Sequence, residues 1–363
     1  MTIWTRRELL ANGMRLCAAL GLISLSPPRP AASWGIPRMH TGEGAAHPHC
    51  EPCLRVKVAG VGGGGCSALG RMMAEGISGT EFAGMDVDPS MPVPFTRLGH
   101  FPRHPVPRRA SACWGDPAAG AAAAQAAPDK VHRIVEGCDL LFVVAGMGGG
   151  TGTGAAPVVA RVAKEAGALT IGVVTEPFAF EGRWRRRKAG YGIATLEKEA
   201  HMVLVLSLDR LVPLLECQTV AQTFAATDGL LAHAVRSITE LLTVPGLISV
   251  DFCDIRIITM ESGLARMGIG YGEGGGGAAR AARMVLASPM LGLPLRRARS
   301  VLLVVRGGPQ TMLSDVVEAG EAVWREAHPE AHLLWGLTVE PSMGREIEVT
   351  VIATRLEGAL GLP

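Results

Sequence analysis

The chain has 363 residues, enough for two domains with substantial cores. Lys and Arg total 35 against 33 for Asp and Glu, a formal net charge of +2, so no global preference for nucleic acid or membrane is written into it. Aromatic residues make up only 4% whereas Gly numbers 47, which suits tight helix–sheet packing and argues against a base-stacking platform.

Residues 1–53 are rich in Pro, His and small residues, without sustained periodicity, and read as an appendage. Arg6 and Arg7 precede an apolar stretch and a small-residue end, the layout of a twin-arginine export signal, too short to span a bilayer. The competing readings are a disordered extension or an overcalled start with Met39 as the true one; the rest of the chain looks built for a cytoplasmic ligand. Cys50 and Cys53 in "HPHCEPC" have histidines nearby but no second ligand pair at metal-site spacing, so a flexible tail is preferred over zinc. The eight cysteines are scattered, several in apolar segments, which indicates a reducing compartment.

From "LRVKVAGVGGGGCSALGRMMAEG" the pattern becomes strand, glycine loop, helix, and "TEFAGMDVD" is a second strand ending in acids. Residues 89–117 carry seven prolines and read as a long surface loop. A helical stretch interrupted at Pro128 leads to the strand "DLLFVVAG" and a loop with six glycines at 146–154, followed by a helix in "PVVARVAKEAG". Strand "ALTIGVVTEPF", helix "RRKAGYGIATLEKEA", strand "HMVLVLSL" and a long helix over 219–244 continue the alternation. Such alternation predicts a doubly wound parallel sheet with ligands at the carboxyl ends of its strands. After Pro245 a second α/β unit follows, with strands "SVLLVVRGG", "HLLWGLTV" and "EIEVTVIATRL" around two helices.

The two glycine loops carry the chemistry. Bare backbone at a strand end, followed by a helix N-terminus, suits a phosphate, because no Cβ separates the main-chain N–H groups from the anion. The loop at 146–154 lacks the lysine that GxxxxGK[ST] requires, so it is not the common P-loop. "GVGGGG" at 60–65 satisfies G-x-G-x-x-G with Asp86 and Asp88 at the distance of a ribose-binding acid, which keeps an NAD-dependent oxidoreductase in view. A mononucleotide explains both loops together, since a triphosphate can occupy two backbone cradles.

"GMGGGTGTGAAPVVARVAKEAGALTIGVVTEPFAFEG", "LLTVPGLISVDFCDIR" and "EVTVIAT" resemble the phosphate loop, catalytic loop and last strand of the tubulin/FtsZ family, to which the bacterial cell-division FtsZ proteins belong; the resemblance covers roughly residues 55–356. It implies a doubly wound parallel-sheet GTPase domain over 54–219, a long central helix over 220–245 and a smaller α/β domain over 246–358, ahead of a short tail at 359–363. Gly62, Gly63, Gly64 and Gly65 would cradle the α/β-phosphates of GTP or GDP, and Gly148, Gly149, Gly150, Thr151, Gly152 and Thr153 would wrap the rest, with Ser67 and Asp88 nearby and Mg²⁺ as the accompanying ion. Pro177, Glu181 and Arg185 would line the ribose and phosphates; Phe224 would stack on the base; Asp228 would accept from the guanine N1–H and amino group. Asp251 and Asp254 would act on water at the nucleotide of the next subunit in a head-to-tail polymer. Without the resemblance, the same residues read as a helix cap and a surface acid at 251 and 254, a core ring at 224, and a solvated helix face in "RWRRRK" at 183–188.

Several positions depart from the family pattern. Ser67, Leu208 and Ser249 stand where the family has asparagine, Asp86 and Val87 replace an Asn-Thr pair, and Trp114 falls in the loop expected to close over the γ-phosphate. These departures leave open a nucleotide-binding paralogue with weak hydrolysis. The chain stops at Pro363 without the linker and peptide by which family members recruit membrane adaptors, so cell-division partners are expected only by another route; neither nucleic acid nor a direct membrane span is expected.

Overall fold

The computed structural model describes residues 54–356 apart from 78, 89–114, 216–218, 245, 247 and 261. Arg6, Arg7, Met39, Cys50, Cys53, Trp114 and the tail after Leu356 therefore lie outside the described residues, as does most of the expected proline-rich loop.

β1 (Val56–Val61), β3 (Leu140–Gly146), β4 (Leu169–Glu176) and β5 (Met202–Ser207) are short runs, almost wholly buried, as expected of parallel strands covered on both faces. With β2 (Thr80–Met85) at the edge they form five parallel strands in the order β2-β1-β3-β4-β5. One face is covered by α2 (Pro117–Gln125), α3 (Pro128–Val135), α4 (Thr151–Glu165) and α5 (Arg183–Glu199). Pro117, the last proline of the expected loop, instead opens α2, where Asp116 accepts from the Ala118 N–H at 3.0 Å.

The other face is covered by α1 (Gly62–Glu75) and, beyond the short α6 (Val212–Leu215), by α7 (Val220–Thr243). A reciprocal cap starts α7: Thr219 Oγ1 accepts from the Gln222 N–H, and Gln222 Oε1 from the Thr219 N–H. Positions 229–235 of α7 are buried throughout, because the helix is wedged between α1 and the C-terminal strands.

After α8 (Phe252–Thr259), β6 (Gly263–Glu273) joins the two halves of one nine-stranded sheet among the described residues. Its first three residues pair with β5; from Arg266 onward it pairs antiparallel with β9 (Glu346–Leu356). β9, last in sequence, lies between β6 and β7 (Ala298–Gly307), and β8 (His332–Val339) closes the far edge. α9 (Gly277–Leu286) and α10 (Leu313–Glu326) cover the outer face of this half around a third core cluster. No helix among the described residues is long and apolar enough to cross a membrane.

Candidate functional site

Both glycine loops end parallel strands and open helices, β1 into α1 and β3 into α4. Neither helix has a side-chain cap or an acid in its first turn, so no side chain of its own offsets the positive end of either helix dipole. The loops converge: a Cβ on Gly62, whose φ is 73°, would stand 2.7 Å from the Gly152 nitrogen. Between them opens a cavity of about 470 Å³ at the carboxyl ends of the strands.

Gly62, Gly63, Gly64, Asp88, Gly149, Gly150, Thr151, Gly152, Pro177, Glu181, Arg185, Phe224 and Asp228 all line this cavity. Gly65, Ser67, Gly148 and Thr153 do not. Gly65 packs α1 onto β3, where a Cβ would come within 2.3 Å of the Val144 carbonyl oxygen. Thr153 is turned inward, its hydroxyl accepting from the Gly148 N–H at 2.8 Å, so it shapes the loop from behind. Ser67 reaches the site indirectly by donating to Asp228 Oδ2 at 2.6 Å.

The glycines of the second loop separate by purpose. Alanine at Gly154 would meet the Pro117 carbonyl oxygen at 1.9 Å, and at Gly152 the Gly146 carbonyl oxygen at 2.7 Å, so both are required by packing. Gly148 has φ 101° and presses on Arg185, so it is required by the turn and by that contact. Gly149 has neither reason: a Cβ there meets nothing within 4 Å. The space beside it stands open on the cavity side.

The opposite wall is aromatic and acidic. Phe224 is 52% exposed and meets Phe178 edge to face at 6.3 Å, so it presents a ring to the cavity rather than filling a core. Asp228 sits one turn further along α7, with Thr227 and Leu231 beside it. Burial pushes its carboxyl above the usual carboxylate range, against the Ser67 hydroxyl and the Arg71 charge, which act in the other direction. Glu181 is held by the Phe178 N–H at 2.9 Å and by Arg185 at 3.0 Å. Asp86 accepts from the backbone N–H groups of Val87 and Asp88, which shapes its own turn. Leu208, which stands where the family has asparagine, lines the cavity too, and so do Thr175, Thr227 and Leu231, which had not been picked out as site residues. The spacing of 224, 227, 228 and 231 on one helix face was the signal for Thr227 and Leu231; nothing local marks Thr175.

Asp251 and Asp254 lie elsewhere. Asp251 is at the N-cap of α8 but its side chain accepts no capping bond; it is exposed, and Asp254 is half-buried. Phe252 and Arg256 of the same helix border a cleft with Arg55 and Asp139, the residues that precede β1 and β3. α8 thus stands at the amino ends of the strands, a strand length of roughly 20 Å from the glycine loops. The two acids cannot reach the cavity of their own chain.

This is the class of α/β protein that binds a mononucleotide on backbone amides at strand ends. Residues 55–216 match the model of the Tubulin/FtsZ family GTPase domain, and residues 263–357 that of the FtsZ family C-terminal domain. An empty FtsZ dimer from M. jannaschii is 30% identical with a TM-score of 0.77, over 83% of this chain and 88% of that one. A tryptophan-to-tyrosine mutant of M. jannaschii FtsZ gives 30% and 0.78 over 84% and 92%. CetZ2 from Haloferax volcanii, a GTPγS-bound protofilament, is 22% identical with a TM-score of 0.69 over 85% and 95%, a likeness of fold. The chain belongs to the Tubulin/FtsZ family of GTPases.

Proposed function

We propose that this protein binds and hydrolyses GTP and polymerises head to tail into filaments of the kind used in bacterial cell division, in the cytoplasm. The observation that carries this reading is the separation of Asp251 and Asp254 from the cavity, at opposite ends of the parallel strands. A carboxylate pair exposed at one end and a nucleotide cavity open at the other make a complete site only when a second copy stacks on the first. Head-to-tail contacts of that kind build filaments when the rotation between copies does not close them into a ring.

In this scheme the α1 and α4 N-termini hold the phosphates, Phe224 stacks on the base, and the Asp228 carboxylate accepts from guanine N1–H and its amino group, a donor pair adenine lacks. Pro177, Glu181 and Arg185 border the ribose and phosphates. Asp251 and Asp254 of the neighbour orient the attacking water and take its proton. Mg²⁺ would supply charge neutralisation at the phosphates, held mainly by phosphate oxygens and water, with the carboxylates of Asp86 and Asp88, just past the end of β2, lining the same cavity.

A nucleotide-binding paralogue with weak turnover is favoured by one observation, the Ser67 hydroxyl already engaging Asp228, so that a base must share that carboxylate. Phosphate release from GTP with Mg²⁺, measured at rising protein concentration with light scattering on the same samples, separates the two. Turnover that begins only above a threshold, together with scattering, is expected; GTP binding with neither signal at any concentration would leave the paralogue.

A further inference from the structure

One buried cation lies outside the cavity yet touches the strands that frame it. Arg266 is 4% exposed and stands on β6 at the point where β6 leaves β5 for β9. The β5–β6 ladder ends at the pair Leu204 and Ala265, which leaves the following β5 carbonyls without strand partners on that side. Arg266 Nη1 donates to the carbonyl of Val205 at 3.1 Å and lies 3.9 Å from Glu176 Oε2. Glu176 pairs in register with Ser207, and the next residues along the two strands, Pro177 and Leu208, both line the cavity.

An arginine in such a place has to be explained. Taking a guanidinium out of water costs several kcal/mol, and apolar side chains of similar volume fill such sites at lower cost. The Nε of Arg266 has no hydrogen-bond partner among the described residues, so the group is not there to complete a saturated network. What it does accomplish is geometric. From a strand of the C-terminal half it grips the ends of two strands of the N-terminal half, one residue before Pro177 and three before Leu208.

We propose that Arg266 is a positioning residue for the nucleotide site: by holding Val205 and Glu176 it sets the ribose and base side of the cavity and ties that wall to the C-terminal sheet. This rests on the nucleotide reading of the cavity. Arg210 also faces the same guanidinium field and donates to the Pro289 carbonyl at 3.4 Å, so the fork where the halves meet is bridged by two cations from opposite sides.

The test is equilibrium binding of a fluorescent GTP analogue, with thermal unfolding in the absence of nucleotide, on the wild type and three variants. Arg266→Met removes the grip and is expected to weaken binding about tenfold, the value of one hydrogen bond to a charged group. Arg266→Lys, which keeps a charge and a donor, is expected to recover most of that affinity. The double variant Arg266→Met with Glu176→Gln leaves no unpaired buried charge and so guards against misfolding; it is expected to keep the affinity loss. Wild-type affinity in either Met variant, whether or not its melting temperature has fallen, overturns the proposal and leaves Arg266 a counter-charge for Glu176. A wild-type chain that binds no nucleotide removes the GTP reading and this proposal with it, an outcome distinct from unchanged affinity in the variants.

Discussion

Gly149→Ala asks whether the bare backbone of the second loop is there for the fold or for a ligand. No atom lies within 4 Å of the position its methyl would take, and its φ is not in the left-handed region, so the folded chain accommodates alanine. The loss of a glycine also restricts the unfolded chain, so the nucleotide-free protein should be unchanged or more stable by up to about 1 kcal/mol. A phosphate seated on this loop is affected differently. The methyl displaces an anion from N–H donors worth about 1.5–3 kcal/mol to a charged group, which is roughly ten- to a hundredfold in affinity. The assay pairs titration of a labelled GTP analogue with thermal unfolding of the nucleotide-free protein. Gly154→Ala is the control, because its Cβ would meet the Pro117 carbonyl oxygen at 1.9 Å and should destabilise the fold by about 3 kcal/mol or more. Wild-type affinity in a folded Gly149→Ala protein would refute the phosphate placement. Unfolding as severe as that of Gly154→Ala would show instead that the glycine serves packing.

Four further outcomes follow from the structure. Asp251→Ala should lower GTP turnover at least about a hundredfold while leaving affinity within twofold, and mixing it with Gly149→Ala should restore turnover, since one mixed interface then combines an intact acid pair with an intact cavity; additive loss in the mixture would sink the shared site. Asp228→Asn should exchange guanine for xanthine preference in competition binding, because the amide donates where the carboxylate accepts. In the wild type, the raised carboxyl makes GTP affinity fall with decreasing pH earlier than for an ordinary Asp, as the protonated form loses an acceptor; a pH-independent affinity down to the ordinary carboxylate range counts against this. His233, 5% exposed and 2.9 Å from Thr350 Oγ1, is held below its usual pKa by burial, despite Glu348 at 3.7 Å. The unfolded chain therefore binds this proton more readily, so stability should drop as pH falls below about 6.5, and His233→Gln should flatten that slope in unfolding curves taken from pH 8 to 5.

Much of the fold was legible because its signals are local. The apolar runs that became β3, β4 and β5, the glycines that open α1 and α4, and the proline that divides α2 from α3 are all dictated by backbone chemistry within a few residues. The resemblance to the tubulin/FtsZ family rested on those same contiguous stretches. Only the tertiary structure decided which glycine is crowded by packing and which has open space beside it, since the atoms that crowd Gly152 and Gly154 come from other elements. Only it set β9 between β6 and β7, joined Ser67 to Asp228 across 161 positions, and left Arg266 gripping the end of β5. That the acids act away from their own cavity was expected only through the family resemblance; nothing in the local sequence around 251–254 records where the glycine loops lie. Strand order and long-range approach depend on how whole elements pack, and no periodicity within one element records where its neighbours will lie.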